Sequence, residues 1–205
     1  MSTDISVLRA RLRVDLAEPE ADRWTDSDLD RHIQHAMRDL NRVAPREMVD
    51  AGLTISDPAS RQLDVSSLSD LVAMIAVEYP VGGHPRRLRH FELWGGTLSL
   101  FTDTMPEAGA PVTVYYTARH AVDATGSTLP GNLEDIVLVG AAGYALLGYL
   151  AATHDRVTVG GGYTGDDLRA HASDLLMQFR QDLTALKRER QLVVVTGELW
   201  TEDER

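Results

Sequence analysis

Apolar residues recur at helical spacing at Ile5, Leu8, Leu12 and Leu16, behind Ser2 and Thr3 as the expected cap, and predict a first helix ending near Leu16. An acidic, proline-containing link, residues 17–23, follows. The second helix carries a fuller start signal: Thr25 as N-cap, Asp28 three residues on, and Trp24 placed to staple against Leu29. Asp26, Asp28 and Asp30 fall in its first turns, where the helix dipole favours negative charge. Leu29, Ile33, Ala36, Met37 and Leu40 form its apolar stripe, and Pro45 ends it.

From Arg46 to about Val122 the period shortens. The runs 71–79, 88–94, 98–101 and 112–117 are rich in β-branched and aromatic residues and predict a small antiparallel sheet, with Gly95-Gly96 as a hairpin turn. A polar exit loop, residues 123–130, leads back to helical spacing over about 132–154, and a glycine-rich stretch, 160–165, leads to a last helix with Leu168, Ala172, Leu175, Leu176, Phe179, Leu183 and Leu186 on one face. The predicted class is α+β. A four-helix body (residues 1–45 and 130–191, two helices from each end) carries an inserted small antiparallel β domain (46–129), and a tail follows (192–205). Strands gathered in one block argue against a doubly wound α/β fold.

The chain has 205 residues and no cysteine, which excludes disulfide scaffolds, thiolate-bound metals and cysteine nucleophiles. A formal net charge of −11 argues against a broad sequence-independent grip on duplex nucleic acid, which is made of Lys and Arg on phosphates. The first sixteen residues lack the basic end and apolar block of a secretory signal. Residues 136–153 are uncharged and reach the lower limit for a membrane span, but many are Gly or Ala and no Lys or Arg cluster flanks them. A helix buried in a bundle or oligomer is the expectation, with Gly140, Ala141, Ala145 and Gly148 admitting close neighbours.

Four patterns bear on chemistry. Gly160-x-Gly162-x-x-Gly165 matches the dinucleotide fingerprint formally, but Asp166 and Asp167 occupy the helix start where a pyrophosphate would sit, so a flexible loop whose Thr164 caps the next helix is expected. Asp28, His32, His35 and Asp39 lie along one stripe of the second helix, and their ligand types suit zinc or iron; a solvated or intersubunit face with Asp–His pairs four apart is the commoner explanation. Arg86, Arg87 and Arg89, beside Phe91 and Trp94, are the one place to hold phosphate or an acidic partner, unless they are strand-edge charges that discourage mispairing. Val193, Val194, Val195 and Trp200 make the tail either a frayed end or a segment that docks on another chain by strand addition or by tucking Trp200 into a groove. No nucleophile elbow is present, and no enzymatic activity, metal or cofactor is expected.

The sequence Arg23-Trp24-Thr25-Asp26 with Leu29, Ile33, Ala36, Leu40, Asn41 and Pro45 resembles the opening of tailed-bacteriophage head-to-tail adaptor (connector, or head completion) proteins. The resemblance continues at Val114-Tyr115-Tyr116 with His120, at Thr128-Leu129-Pro130, and along the Gly/Ala-rich helix 139–150. It implies a structural virion protein: a ring of identical subunits, commonly twelve, that binds under the portal protein, extends the DNA channel without reading sequence, and docks a tail or neck-completion protein. The implied location is the head–tail junction of the virion, with the host cytoplasm during assembly. An acidic balance suits a channel wall that DNA must pass without sticking. The rival expectations are a helical-bundle metal- or ligand-binding protein that acts as an enzyme, and a membrane-associated protein held through residues 136–153.

Overall fold

The computed structural model describes residues 3–18, 23–57, 60–153 and 165–197, with backbone alone at 153 and 191–197. Its elements run α1 (Ile5–Asp15), α2 (Asp26–Val43), β1 (Arg46–Thr54), β2 (Gln62–Asp64), β3 (Leu71–Glu78), β4 (Phe91–Trp94), β5 (Thr97–Leu100), β6 (Pro111–Ala118), α3 (Gly131–Thr153) and α4 (Gly165–Gly197). The α+β class and the order helix, helix, strands, helix, helix are as the periodicities predict. Two compact units result: residues 1–44 with 120–205, and residues 45–119.

In the helical unit α3 is central, with α1, α2 and α4 packed on it. It is long and apolar enough to cross a membrane, and half of its apolar stretch is buried within the unit. Small residues set the helix spacing. A Cβ on Gly140 would lie 2.9 Å from the ring of Phe179, and one on Gly143 would lie 2.7 Å from Leu176 Cγ. These two pairs show that α4 runs antiparallel to α3. At about 1.5 Å per residue α4 is much the longer rod, and roughly its last nine residues lie beyond the first turn of α3.

Arginines on α1 clamp it to its neighbours. Arg9 donates to both carboxylate oxygens of Asp30 at 2.8 Å and to Asp26 at 2.7 Å, and Arg11 donates to Glu134 on α3 at 2.9 Å. The aspartates at the start of α2 are therefore ion-pair partners as well as dipole charges. The cap of α1 is Asp4, whose carboxylate accepts from the backbone N–H of Ser6 and Val7, in place of the expected Ser2 or Thr3. An aspartate is the stronger acceptor there, and one residue closer to the first turn.

The expected domain boundary near residue 130 falls at 119/120, because the exit loop is stitched to the helices. His120 N–H donates to Asn41 Oδ1 at 2.7 Å, Asn41 Nδ2 returns a bond to the His120 carbonyl, and Gln34 holds the Val122 carbonyl. Ile5 N–H reaches the Asp123 carbonyl at 3.0 Å.

The β unit holds two three-stranded antiparallel sheets, β1-β6-β3 and β2-β5-β4, where the sequence pattern predicts one. Both contribute to one core that includes Val77, Val114 and Tyr116 from the first sheet and Leu63, Leu98 and Leu100 from the second. Strands β1 and β2 escape the sequence pattern because β1 carries Asp50 and Gly52 at a register shift and β2 is three residues long. The hairpin at Gly95 and Gly96 forms as expected, both residues having positive φ (+56° and +81°), a conformation suited to glycine.

Candidate functional site

The start of α2 is built as its residues require. Thr25 and Asp28 form the reciprocal capping box. Trp24 is buried beside the Leu29 cluster, its indole N–H donating to the Ala145 carbonyl of α3 and its ring meeting Tyr149 at 5.5 Å. Glu18, itself buried, accepts from the backbone N–H groups of Arg23 and Trp24 and pairs with Arg13. Trp24, Thr25, Asp28 and Leu29 thus fix the entry angle of α2 and its seat on α3.

The four residues weighed as metal ligands do not converge on one point. Asp28 is engaged in the capping box. The His32 ring lies where a Cβ on Gly148 would come within 3.2 Å, and burial holds its pKa below the ordinary value. His35 stacks on Tyr144 at 3.9 Å with 7° between the planes. Asp39 accepts the Tyr144 hydroxyl at 2.6 Å and pairs with Arg42 at 3.0 Å. Burial, then the bond to Asp39, pushes the Tyr144 pKa up to about 12. The stripe is a polar seam joining α2 to α3. Among the described residues no group of three or more His, Cys, Asp or Glu is placed to hold a metal ion.

In the β unit the three candidate arginines have separate fates. Arg89 is a brace: its backbone N–H donates to the Val77 carbonyl and its Nε to the Tyr79 carbonyl, both at 2.8 Å. Arg86 lies over the Tyr115 ring, 5.6 Å from its centre, with its Nε 3.9 Å from Glu78. Glu78 is buried and otherwise occupied, accepting from the Tyr115 hydroxyl at 2.9 Å and from Gly82 N–H at 3.2 Å. Arg87 is exposed and makes no ion pair among the described residues. The turn is therefore pinned at its base, where Tyr79 N–H donates to the Arg87 carbonyl at 3.0 Å, and the Arg87 side chain lies where a Cβ on Gly83 would come within 3.7 Å. Phe91 packs on the core, whereas Trp94 at the hairpin is 83% exposed.

The outer face of the β1-β6-β3 sheet carries exposed apolar residues that the sequence pattern does not reveal, with the exposed Glu47 on the same face. Val49 is 59% exposed and Ile75 60% exposed, with Val72 also exposed. Val49 is paired in register with Tyr115, under Arg86. Apolar residues fall on both parities of residues 71–77, so alternation singles out no outward face there. The structure turns Val72 and Ile75 outward at the two register shifts of β3. A shallow groove of about 460 Å³ beside β5 has Arg61 as its one ionisable lining group, next to Phe101 and Met105, so it gathers no acid–base pair.

Val193, Val194 and Val195 lie in the backbone of α4, which continues to Gly197, and not in the β-prone tail expected from residue 192. Continuity with a long packed helix outweighs the weak helix propensity of three valines. Trp200 lies outside the described residues, as do Gly160, Gly162 and the proposed cap Thr164.

No family model matches the sequence, and no curated protein does. Among solved structures the chain is similar to the neck of an empty GTA particle computed with C6 symmetry, at 13% identity and a TM-score of 0.29, over 85% of this chain and 88% of that one. A similarity of that size does not establish a shared fold.

Proposed function

We propose that this chain is a structural virion protein, a head-to-tail adaptor that forms a ring under the portal, extends the DNA channel and offers the docking surface for the tail. The carrying observation is architectural: the β unit of residues 45–119 interrupts the helical unit between α2 and α3, with adaptor-like sequence signatures in α2 before it, in β6 within it and in the exit loop after it. Those signatures have structural roles in the protein. Trp24 and Thr25 seat α2 on α3, while His120 and Thr128 close the exit loop, the His120 ring meeting the Thr128 carbonyl at 3.0 Å. The ring, expected from the resemblance to hold twelve copies, needs no cofactor and no bond-making step, and its acidic balance lets DNA pass.

Size-exclusion chromatography with and without the portal protein tests the reading. The adaptor co-elutes with portal as a large assembly. A chain that stays at its own elution volume beside an assembled portal contradicts the proposal.

A further inference from the structure

We infer that the outer face of the β2-β5-β4 sheet binds an uncharged, β-linked oligosaccharide stacked across Trp94 and Phe101; this goes beyond the proposed function and does not depend on it. Leu63, Leu98 and Leu93 face the core, so the residues alternating with them form the opposite face. Strand pairing sets that face in rows: Asp64, Thr97 and Trp94, then Gln62, Ser99 and Glu92. The ladder runs one step further, with Leu100 N–H donating to the Arg61 carbonyl and Phe101 N–H to the His90 carbonyl, and Phe101 keeps the parity of Thr97 and Ser99. Trp94 is 83% exposed and Phe101 58% exposed. From the Trp94 row to Phe101 is about 14 Å along the strands, at about 3.4 Å per residue, which is longer than one sugar ring. The open groove of about 460 Å³ beside Phe101 is bordered by Gln62 and Ser99 of the middle row. Among the described residues, the side chains of Gln62, Glu92, Thr97 and Ser99 have no hydrogen-bond partner.

These parts match a pyranose chain. The C–H groups on the flat face of a β-linked pyranose pack on the negative face of an aromatic ring. Its hydroxyls both donate and accept, and so suit the carboxamide of Gln62, the hydroxyls of Thr97 and Ser99 and the carboxylate of Glu92. A single-stranded nucleic acid stacks on such rings too, but it needs a positive groove, and this face sets Asp64 and Glu92 against Arg61 and His90. A second copy of the chain would need a contiguous apolar centre, whereas polar side chains separate the two rings.

Calorimetric titration of the purified full chain with cellohexaose and with chitohexaose tests the inference. One or both hexamers bind saturably, and the corresponding monosaccharide binds more weakly by about tenfold or more, because a single ring cannot span both aromatics. Trp94→Ala and Phe101→Ala each weaken binding of the hexamer by about tenfold, the value of one lost aromatic stack, while Trp94→Tyr keeps most of it. Both rings are exposed, so these variants keep the native circular dichroism. Ile75→Ser, on the outer face of the other sheet, leaves binding unchanged. The inference is overturned if neither hexamer binds, if the native chain and both alanine variants bind alike, or if the monosaccharide binds as tightly as the hexamer. A single-stranded oligothymidylate that binds through Trp94 while neither hexamer does overturns it as well, and so does self-association that Trp94→Ala abolishes in sedimentation velocity while neither hexamer binds.

Discussion

Gly143 shows most plainly how a single hydrogen sets the helix spacing. Its Cβ would fall 2.7 Å from Leu176 Cγ and 3.4 Å from the Ala172 carbonyl, so Gly143→Ala drives a methyl into the α3–α4 contact. Overpacking of that kind costs about 1–3 kcal/mol, against a helix-propensity gain of about 1 kcal/mol, and a net loss of about 1 kcal/mol is expected in urea unfolding. Gly131→Ala, with open space around the new methyl, is the control and should be neutral or slightly stabilising. The polar seam makes a pH prediction. The unfolded chain releases the Tyr144 proton near 10.0 and the folded chain holds it to about 12, so stability falls as pH rises across that interval. His32, held below its ordinary 6.5 by burial, takes up a proton first in the unfolded chain, and stability falls as pH drops through that value. Denaturant midpoints against pH should show a shallower alkaline limb in Tyr144→Phe than in the native chain; parallel limbs would refute the role given to Tyr144. The four-three-four spacing of Asp28, His32, His35 and Asp39 is legible in the sequence, but their use is not. Spacing places side chains on one stripe, whereas Tyr144 and Gly148, more than a hundred residues away, decide what the stripe meets.

At the scale of elements, α4 is held to α3 chiefly by large side chains set into glycine gaps. Phe179 is 1% exposed, fills the gap at Gly140 and meets the Tyr144 ring edge-on at 6.3 Å. Phe179→Ala should therefore cost about 3–5 kcal/mol in chemical unfolding, and a loss below about 1 kcal/mol would show that α4 is held elsewhere. The hairpin offers an independent test in the other unit. Gly96→Val forces a β-branched residue to φ +81°, and should lower the thermal midpoint of the chain without touching the α3–α4 contact. The helices were legible because 3.6-residue periodicity with a capping box is a local signal. Thr25, Asp28 and Pro45 mark both ends of α2 to within two residues. The sheets were legible only in part. Arg46–Thr54 and Gln62–Asp64 become strands through pairing with β6 and β5, and neither carries enough apolar alternation to announce it. The pairing also divides the strands between two sheets, a long-range choice that short runs do not encode.

At the scale of the molecule, two units with separate cores share one chain, and the exit loop joins the helical unit through bonds from Asn41 and Gln34 that composition alone does not suggest. In the helical unit Arg9, Arg11 and Arg13 are each paired with carboxylates of the same unit. In the β unit Arg86 covers the Tyr115 ring and lies 3.9 Å from the buried Glu78, while Arg89 braces the hairpin. The most direct measurement is cryo-microscopy of intact particles that carry this chain. Adaptor function predicts a ring of its density at the head–tail junction, with the helical unit and the β unit each fitted separately. Particles that contain no such ring, or that show the chain far from the portal, would contradict it.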